Sequence, residues 1–279
     1  MPLSVVLLLK PRGQPGPSGF FGRAIHGYFL RLIRELDSSL SMALHKQPNK
    51  PFTVSPLFHQ ASQGRGEGQY WLRLTSLSKE LSLLLARLHP DGLGLLKLGA
   101  AELEVQAILK EREEHLWAGS CTYEELYNNG LLRAREVKNR LIGFKFITPT
   151  AFKIAKSAGL YMPLPWPRLV FQSLAEKWNS FSPIPLWVNW PEFERTVTVA
   201  HFHNLKSSSI NFGRFSLGGF TGECWYLVGA QAGIKLHRAL STLAEFAFYA
   251  GVGWKTTMGM GMVQPIFQSR LGQNLNHFP

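Results

Sequence analysis

Gly251-Val252-Gly253-Trp254-Lys255-Thr256-Thr257-Met258-Gly259-Met260-Gly261 places two Gly-x-Gly pairs around one lysine and two threonines. Glycine lacks a Cβ and tolerates positive φ, so the backbone N–H groups of such a loop can come close to a phosphodiester chain. Lys255 adds charge, Thr256 a hydroxyl, and Trp254 a stacking face with little core to enter between glycines. The alternative reading is a structural turn. A helix-patterned segment precedes the loop and a short apolar run follows it. A dinucleotide fingerprint needs strand, loop, helix, because pyrophosphate sits on the N-terminus of the helix that follows. The order here is the reverse, so a metabolic nucleotide-binding enzyme is excluded.

A second candidate is His45 with Lys50, five residues apart. Imidazole suits proton transfer near neutral pH, and an ammonium suits stabilisation of developing negative charge. A lone histidine is more often structural, and His26 is a reserve acid or base on a predicted helix. His201 and His203 share a face if 196–204 is a strand, but no third ligand accompanies them, so sheet-surface or RNA contacts are preferred to a metal site. The 18 acidic residues form no obvious carboxylate constellation, which disfavours a two-metal nuclease. No metal or cofactor is expected. Cys121 and Cys224 stand far apart and read as small buried hydrophobes in a reducing cytosol.

The chain of 279 residues carries a formal charge of +12, with Lys and Arg spread from Lys10 to Arg270. A basic folded surface points to a polyanion, with nucleic acid the commonest. Arg23, Arg31 and Arg34 share one predicted helix; they and Lys206, Arg214, Lys235 and Arg238 are either solvated or phosphate-facing. No apolar run approaches the ~20 residues of a membrane span, and the short apolar start reads as a strand, so a cytoplasmic protein is expected.

The elements that must position these groups follow from periodicity. Leu3–Leu9 is a strand, followed by a Pro/Gly loop from Pro11 to Pro17. Apolar residues from Phe21 to Leu36 recur at helical spacing, and Asp37-Ser38-Ser39 can cap a second short helix that ends near His45. Strands at Val54–Phe58 and Gln69–Leu74 flank a turn at Gln63–Gly68. A helix over Leu77–Leu88 and strands within Gly92–Lys110 complete a β-α-β-β-α-β unit. After a linker near Leu116–Gly130, a second unit takes strands at Leu141–Ile147, Thr196–Asn204 and Cys224–Val228, a helix at Gly233–Tyr249 and a closing strand at Gly261–Phe267. The stretch Leu160–Pro191, rich in Trp and Pro, stays unassigned.

The glycine loop resembles the C-terminal GhGxxxxxGhGxh signature (h is hydrophobic) of the RAMP superfamily of CRISPR-associated RNA-binding proteins. Leu44-His45-Lys46-Gln47-Pro48-Asn49-Lys50-Pro51-Phe52-Thr53-Val54-Ser55-Pro56-Leu57 resembles the "lH….kpFt.SpL" block of the Cas-six family of endoribonucleases that cut precursor crRNA within repeats. The helical stretch Gly22 through Ala43, Phe144–Phe152 and Gly218–Gly222 match as further landmarks. The resemblance implies an α+β fold of tandem ferredoxin-like domains, divided as 1–118 with the active site and 119–279 with the RNA-binding loop. It implies metal-independent cleavage by 2′-OH attack that leaves a 2′,3′-cyclic phosphate, retention of the crRNA, and other effector subunits as partners. His45 takes the position of the family's catalytic histidine, and Lys50 that of an active-site basic residue. The tyrosine that assists in some members falls at Leu30, with Tyr28 a nearby substitute. RNA contacts fall to the loop residues Gly251, Gly253, Trp254, Lys255, Thr256, Gly259 and Gly261. The rival reading is a non-catalytic RAMP-type subunit that binds crRNA.

Overall fold

Alternation of side chains sets up the first sheet. In β1 (Leu3–Pro11), Leu3, Val5, Leu7 and Leu9 face one core, while Val6 on the opposite face joins another, so the strand is buried on both sides. The computed structural model describes residues 1–13, 17, 19–60, 69–136, 140–154, 159–213 and 215–267. The turn expected at Gln63–Gly68 and the basic residue Arg214 lie outside these, as does part of the Pro11–Pro17 loop.

After β1 come α1 (Gly22–Leu36), α2 (Ser38–Lys46), β2 (Phe52–Val54), β3 (Phe58–Gln60), β4 (Gln69–Ser76), α3 (Lys79–Ala86), β5 (Leu96–Leu98), β6 (Ala101–Leu109) and β7 (Gly119–Ser120). The sheet order is β2-β4-β1-β6-β5, with β3 also on β4 and β7 on β1, and the pairings are antiparallel. The order β2-β4-β1-β6 is that of a ferredoxin-like unit. The expected single strand Val54–Phe58 is split in two, because Pro56 has no N–H to give the ladder. Asp37 caps α2 by accepting from the Leu40 N–H at 2.9 Å.

The second unit comprises α4 (Tyr123–Arg135), β8 (Leu141–Thr150), β9 (Phe152–Lys153), β10 (Tyr161–Met162), α5 (Pro167–Phe181), α6 (Trp190–Thr196), β11 (Val197–Asn211), β12 (Ser216–Val228), α7 (Ile234–Ala250) and β13 (Val263–Phe267). Its sheet runs β11-β12-β8-β13, again antiparallel. The strand connectivity repeats that of the first unit, so the fold is a tandem of ferredoxin-like α+β units. Two sequence readings need correction. The stretch Leu116–Gly130 is not a linker: it holds β7 and the start of α4, whose capping box joins Thr122 and Glu125. The unassigned region 160–191 carries α5, opened by Pro167 in its first turn. Cys224 is buried as expected, whereas Cys121 keeps part of its surface exposed.

The units are joined at the C-terminal end of α7. The last carbonyls of a helix have no partner within it, and leaving a buried one unmet costs about 1–3 kcal/mol. Here the first unit supplies donors: Arg73 of β4 donates to the Phe248 carbonyl, and the Thr75 hydroxyl donates to that of Tyr249 at 2.9 Å. From the second unit, the Lys177 ammonium of α5 donates to Ala250 O at 2.9 Å and Gly251 O at 3.0 Å. Arg73 is only 2% exposed and lies over the Phe248 ring at 4.3 Å; burial lowers its pKa to about 9. Arg73, together with Lys177 when protonated, also complements the helix dipole.

Candidate active site

The glycine-rich loop leaves α7 at this capped end. Gly251, Gly253, Gly259 and Gly261 all have positive φ, and Lys255 adopts the left-handed conformation at φ 56°. At Gly261, φ is 69° and a Cβ would stand 2.1 Å from the Val252 carbonyl oxygen, so only glycine fits. The loop's backbone donors are largely used within the protein. Val252 N–H donates to Gly261 O (2.8 Å), Trp254 N–H to Ala151 O (2.8 Å), Gly261 N–H to Pro149 O (3.1 Å) and Gly253 N–H to Ser173 Oγ (3.2 Å). The sequence reading, in which the glycines free N–H groups for phosphate, therefore needs revision: these glycines serve strained turns and close packing. Thr256 is buried, and Lys177 Nζ reaches its hydroxyl at 3.4 Å.

The loop docks on the first unit through a short 3-10 turn at Thr256–Met258. Gly22, at the start of α1, lies so close that a Cβ there would be 1.9 Å from the Met258 carbonyl oxygen. One helical turn on, His26 Nδ1 is 2.8 Å from the Thr257 carbonyl oxygen. A carbonyl only accepts, so Nδ1 carries the proton and Nε2 keeps its lone pair. The ring stacks on Phe52 at 5.7 Å. Burial, opposed by the Thr257 contact, pushes the His26 pKa down, and the positive charges of Lys50, His45 and Lys255 push it further the same way. Histidines from α1 and α2, the lysine after α2 and the lysine of the loop thus converge.

His45 is exposed in the last turn of α2. Lys50 folds back beneath it, its Nζ donating to Leu44 O (2.6 Å), Gln47 O (2.8 Å) and His45 O (3.0 Å). The ammonium is a C-terminal cap that fixes the turn bearing His45. Lys255 is half-buried among the rings of Trp254 (4.7 Å), Phe215 (5.0 Å) and Phe212 (5.2 Å). Burial lowers its pKa, and so do the nearby charges of Arg23 and Lys153. The named charges acting on His26 and Lys255 are all positive, a field suited to phosphate.

Other candidates are placed differently. Tyr28 is buried, donates its hydroxyl to Gly94 O at 3.2 Å, and has its pKa pushed up to about 12 by burial, so it is not set for proton exchange. Arg31 and Arg34 are exposed farther along α1. Lys206 is exposed on β11, paired opposite Thr221 of β12. Lys235 and Arg238 lie at the start of α7, roughly 18–22 Å along its axis from the loop. Arg238 stacks on Tyr127 of α4 at 3.4 Å, a packing role between helices. His201 stacks on Trp225 at 5.5 Å, and His203 Nε2 meets Asn204 at 2.9 Å. Among the described residues, no group of three His, Cys, Asp or Glu side chains could hold a metal ion, and no helix is long and apolar enough to cross a membrane. Sequence reading missed Lys177 and Arg73, because nothing local marks a cation that caps a distant helix.

Comparison with known proteins gives this arrangement a lineage. Residues 144–263 match the family described as CRISPR-associated endoribonuclease Cas6, and residues 1–73 match the CRISPR Cas6 N-terminal domain. A Streptococcus thermophilus CRISPR-associated endoribonuclease Cas6 is 26% identical over 250 residues, covering 86% of this chain and 88% of that protein. A solved Thermus thermophilus Cas6 is 34% identical with a TM-score of 0.71, covering 95% of this chain and 98% of that one. The same Cas6 in a product complex reaches a TM-score of 0.77, covering 95% and 100%. By sequence across both units and by whole-chain structure, this protein belongs to the Cas6 family of CRISPR-associated endoribonucleases.

Proposed function

We propose that this chain cuts CRISPR precursor RNA within its repeats without a metal, by attack of a 2′-OH on the adjacent phosphorus. The observation that carries the reading is the His26 imidazole: half-buried, its Nδ1 held on the Thr257 carbonyl, its pKa pushed down by burial, and within the fields of Lys50, His45 and Lys255. In this scheme His26 Nε2 takes the 2′-OH proton as the new P–O2′ bond forms. His45 gives a proton to O5′ as the P–O5′ bond breaks, leaving a 2′,3′-cyclic phosphate and a 5′-OH. Lys255 supplies charge to the pentacoordinate phosphorus, and Lys50 positions the turn of His45. RNA chemistry suits this arrangement because the substrate carries its own nucleophile.

In this scheme residues 1–118 bring His26, His45 and Lys50, and residues 119–279 bring the loop and Lys255. Arg23 and Lys153 extend the basic surface, which favours retention of the cut RNA in the cytoplasm alongside other CRISPR-associated subunits. The test is incubation of the pure protein with the repeat RNA of its own locus in EDTA. Cleavage is expected, and one 2′-deoxy nucleotide 5′ of the cut should block it. Cleavage that EDTA stops, or that survives the deoxy substitution, overturns the mechanism. Binding without cleavage would instead indicate a structural crRNA-binding subunit.

A further inference from the structure

A cavity of about 500 Å³ opens between α5, β9 and the glycine-rich loop, lined among others by Asn49, Lys153, Gln172, Glu176, Lys177 and Trp254. It adjoins the candidate active site, because Asn49 precedes Lys50 and its Nδ2 donates to Ser180 Oγ of α5 at 2.9 Å. We propose that this cavity holds one unpaired nucleobase of the bound RNA, stacked on Trp254 and read along its edge by Glu176, with guanine as the preferred base. The inference rests on the reading of the chain as a repeat-RNA nuclease.

Three features distinguish the cavity from a general phosphate groove. The half-buried Trp254 ring lines the cavity with Lys255 at 4.7 Å and Lys153 at 5.7 Å from its centroid, so an aromatic ring and two backbone-binding cations stand together. Glu176, exposed at the rim, is the only carboxylate among the lining residues, beside the lining cations Lys153 and Lys177. A carboxylate repels phosphate and accepts from N–H donors, so a base edge suits this wall of the cavity better than a phosphate does. Gln172 then fixes the geometry: Arg168 Nε donates to its Oε1 at 3.1 Å, and its Nε2 donates to Glu176 Oε1 at 2.9 Å. That orients the carboxylate and leaves lone pairs for a ligand.

The base edge follows from this chemistry. Guanine offers N1–H and the N2 amino group side by side, matching a carboxylate with two acceptor oxygens. Adenine and cytosine offer one amino group each. Uracil flanks its single N–H with two carbonyl oxygens, which a carboxylate repels. The pocket therefore selects guanine and rejects uracil at one position next to the cut.

The test measures RNA binding in EDTA, with each unpaired nucleotide of the locus's repeat RNA replaced in turn by an abasic site. At one guanosine the replacement should weaken wild-type binding on the order of tenfold, as expected for loss of one stacked base. In Trp254→Ala the same replacement should cost less than twofold, whereas Trp254→Phe should behave like wild type. Inosine at that position, which lacks the amino group, should weaken wild type severalfold and leave Glu176→Gln unaffected. If RNA is bound and cut but no position couples to Trp254, or the coupled position prefers uridine, the pocket assignment is wrong and the nuclease reading stands. If wild type neither binds nor cuts repeat RNA, both fall together.

Discussion

The glycine-rich loop and the His45–Lys50 turn meet at one site, yet the loop is largely buried with most of its N–H groups turned inward while the turn holds its histidine out in solvent. In the loop, residue identity is dictated by backbone geometry, so changing a glycine breaks the fold before it touches any ligand. In the turn, one side chain is structural and the other is free: Lys50 is spent on three carbonyls, and His45 has nothing to hold up. Residues in the same motif-rich neighbourhood can thus fail in different ways, through stability or through chemistry. The variants below separate the two.

The largest effect belongs to His45→Ala. Losing a positioned acid or base costs about 10²–10⁴-fold in rate. Cleavage should fall by that amount while melting temperature and RNA affinity stay near wild type, because His45 is exposed. A parallel loss of stability would place His45 with the structural residues. Next comes Gly261→Val. With φ at 69° and the Val252 oxygen 2.1 Å from the new Cβ, a cost of about 2–4 kcal/mol is expected, read as a lower urea midpoint with activity lost in step. Normal stability with lost RNA binding would return the glycines to the ligand.

A pH profile sharpens the contrast. His26 must be neutral to accept a proton, and its pKa lies below the ordinary 6.5, so cleavage should hold through pH 6.5 and fall about tenfold per unit below its lowered pKa. An acidic limb, with cleavage falling as pH drops, centred at or above 6.5 would exclude His26 as the base. Lys177→Met tests the loop's anchor. It leaves the Ala250 and Gly251 carbonyls without their donor, at about 1–3 kcal/mol. The Lys177 ammonium is lowered from 10.5 to about 7 in the fold, so between those values the unfolded chain binds more protons. Wild-type stability should therefore gain a contribution that rises with pH over that window, and the variant should lack it. The smallest effect has the opposite sign. Gly27 lies inside α1 with open space where a Cβ would go, so Gly27→Ala should stabilise the protein by roughly 0.5–1 kcal/mol.

Much of the fold was legible because periodicity and caps are local. Asp37 signalled the start of α2, the alternation of β1 gave a strand, and apolar spacing located α7 to within a residue or two at each end. What escaped had identifiable signals that stronger ones masked. Thr122-x-x-Glu125 is a capping box, and Pro167 followed by Val170, Phe171, Leu174 and Trp178 is a helix opening, the latter set among Trp and Pro residues that obscure its period. Within the site, His45 and His26 were visible by residue type, whereas the roles of Tyr28 and Arg238 depended on what they pack against.

The sequence alone determined the main strand and helix order of the first unit and of the end of the second, the basic character, and the residue types able to exchange protons. Only the tertiary structure decided which groups share one site. His26 and Thr257 are 231 positions apart, and Arg73 caps a carbonyl 175 positions away. The second pairing exists because the end of a buried helix must have its carbonyls met, and the first because the loop beyond that helix docks on α1, so in both the partner comes from whichever surface packs there. No local pattern in the chain records that choice.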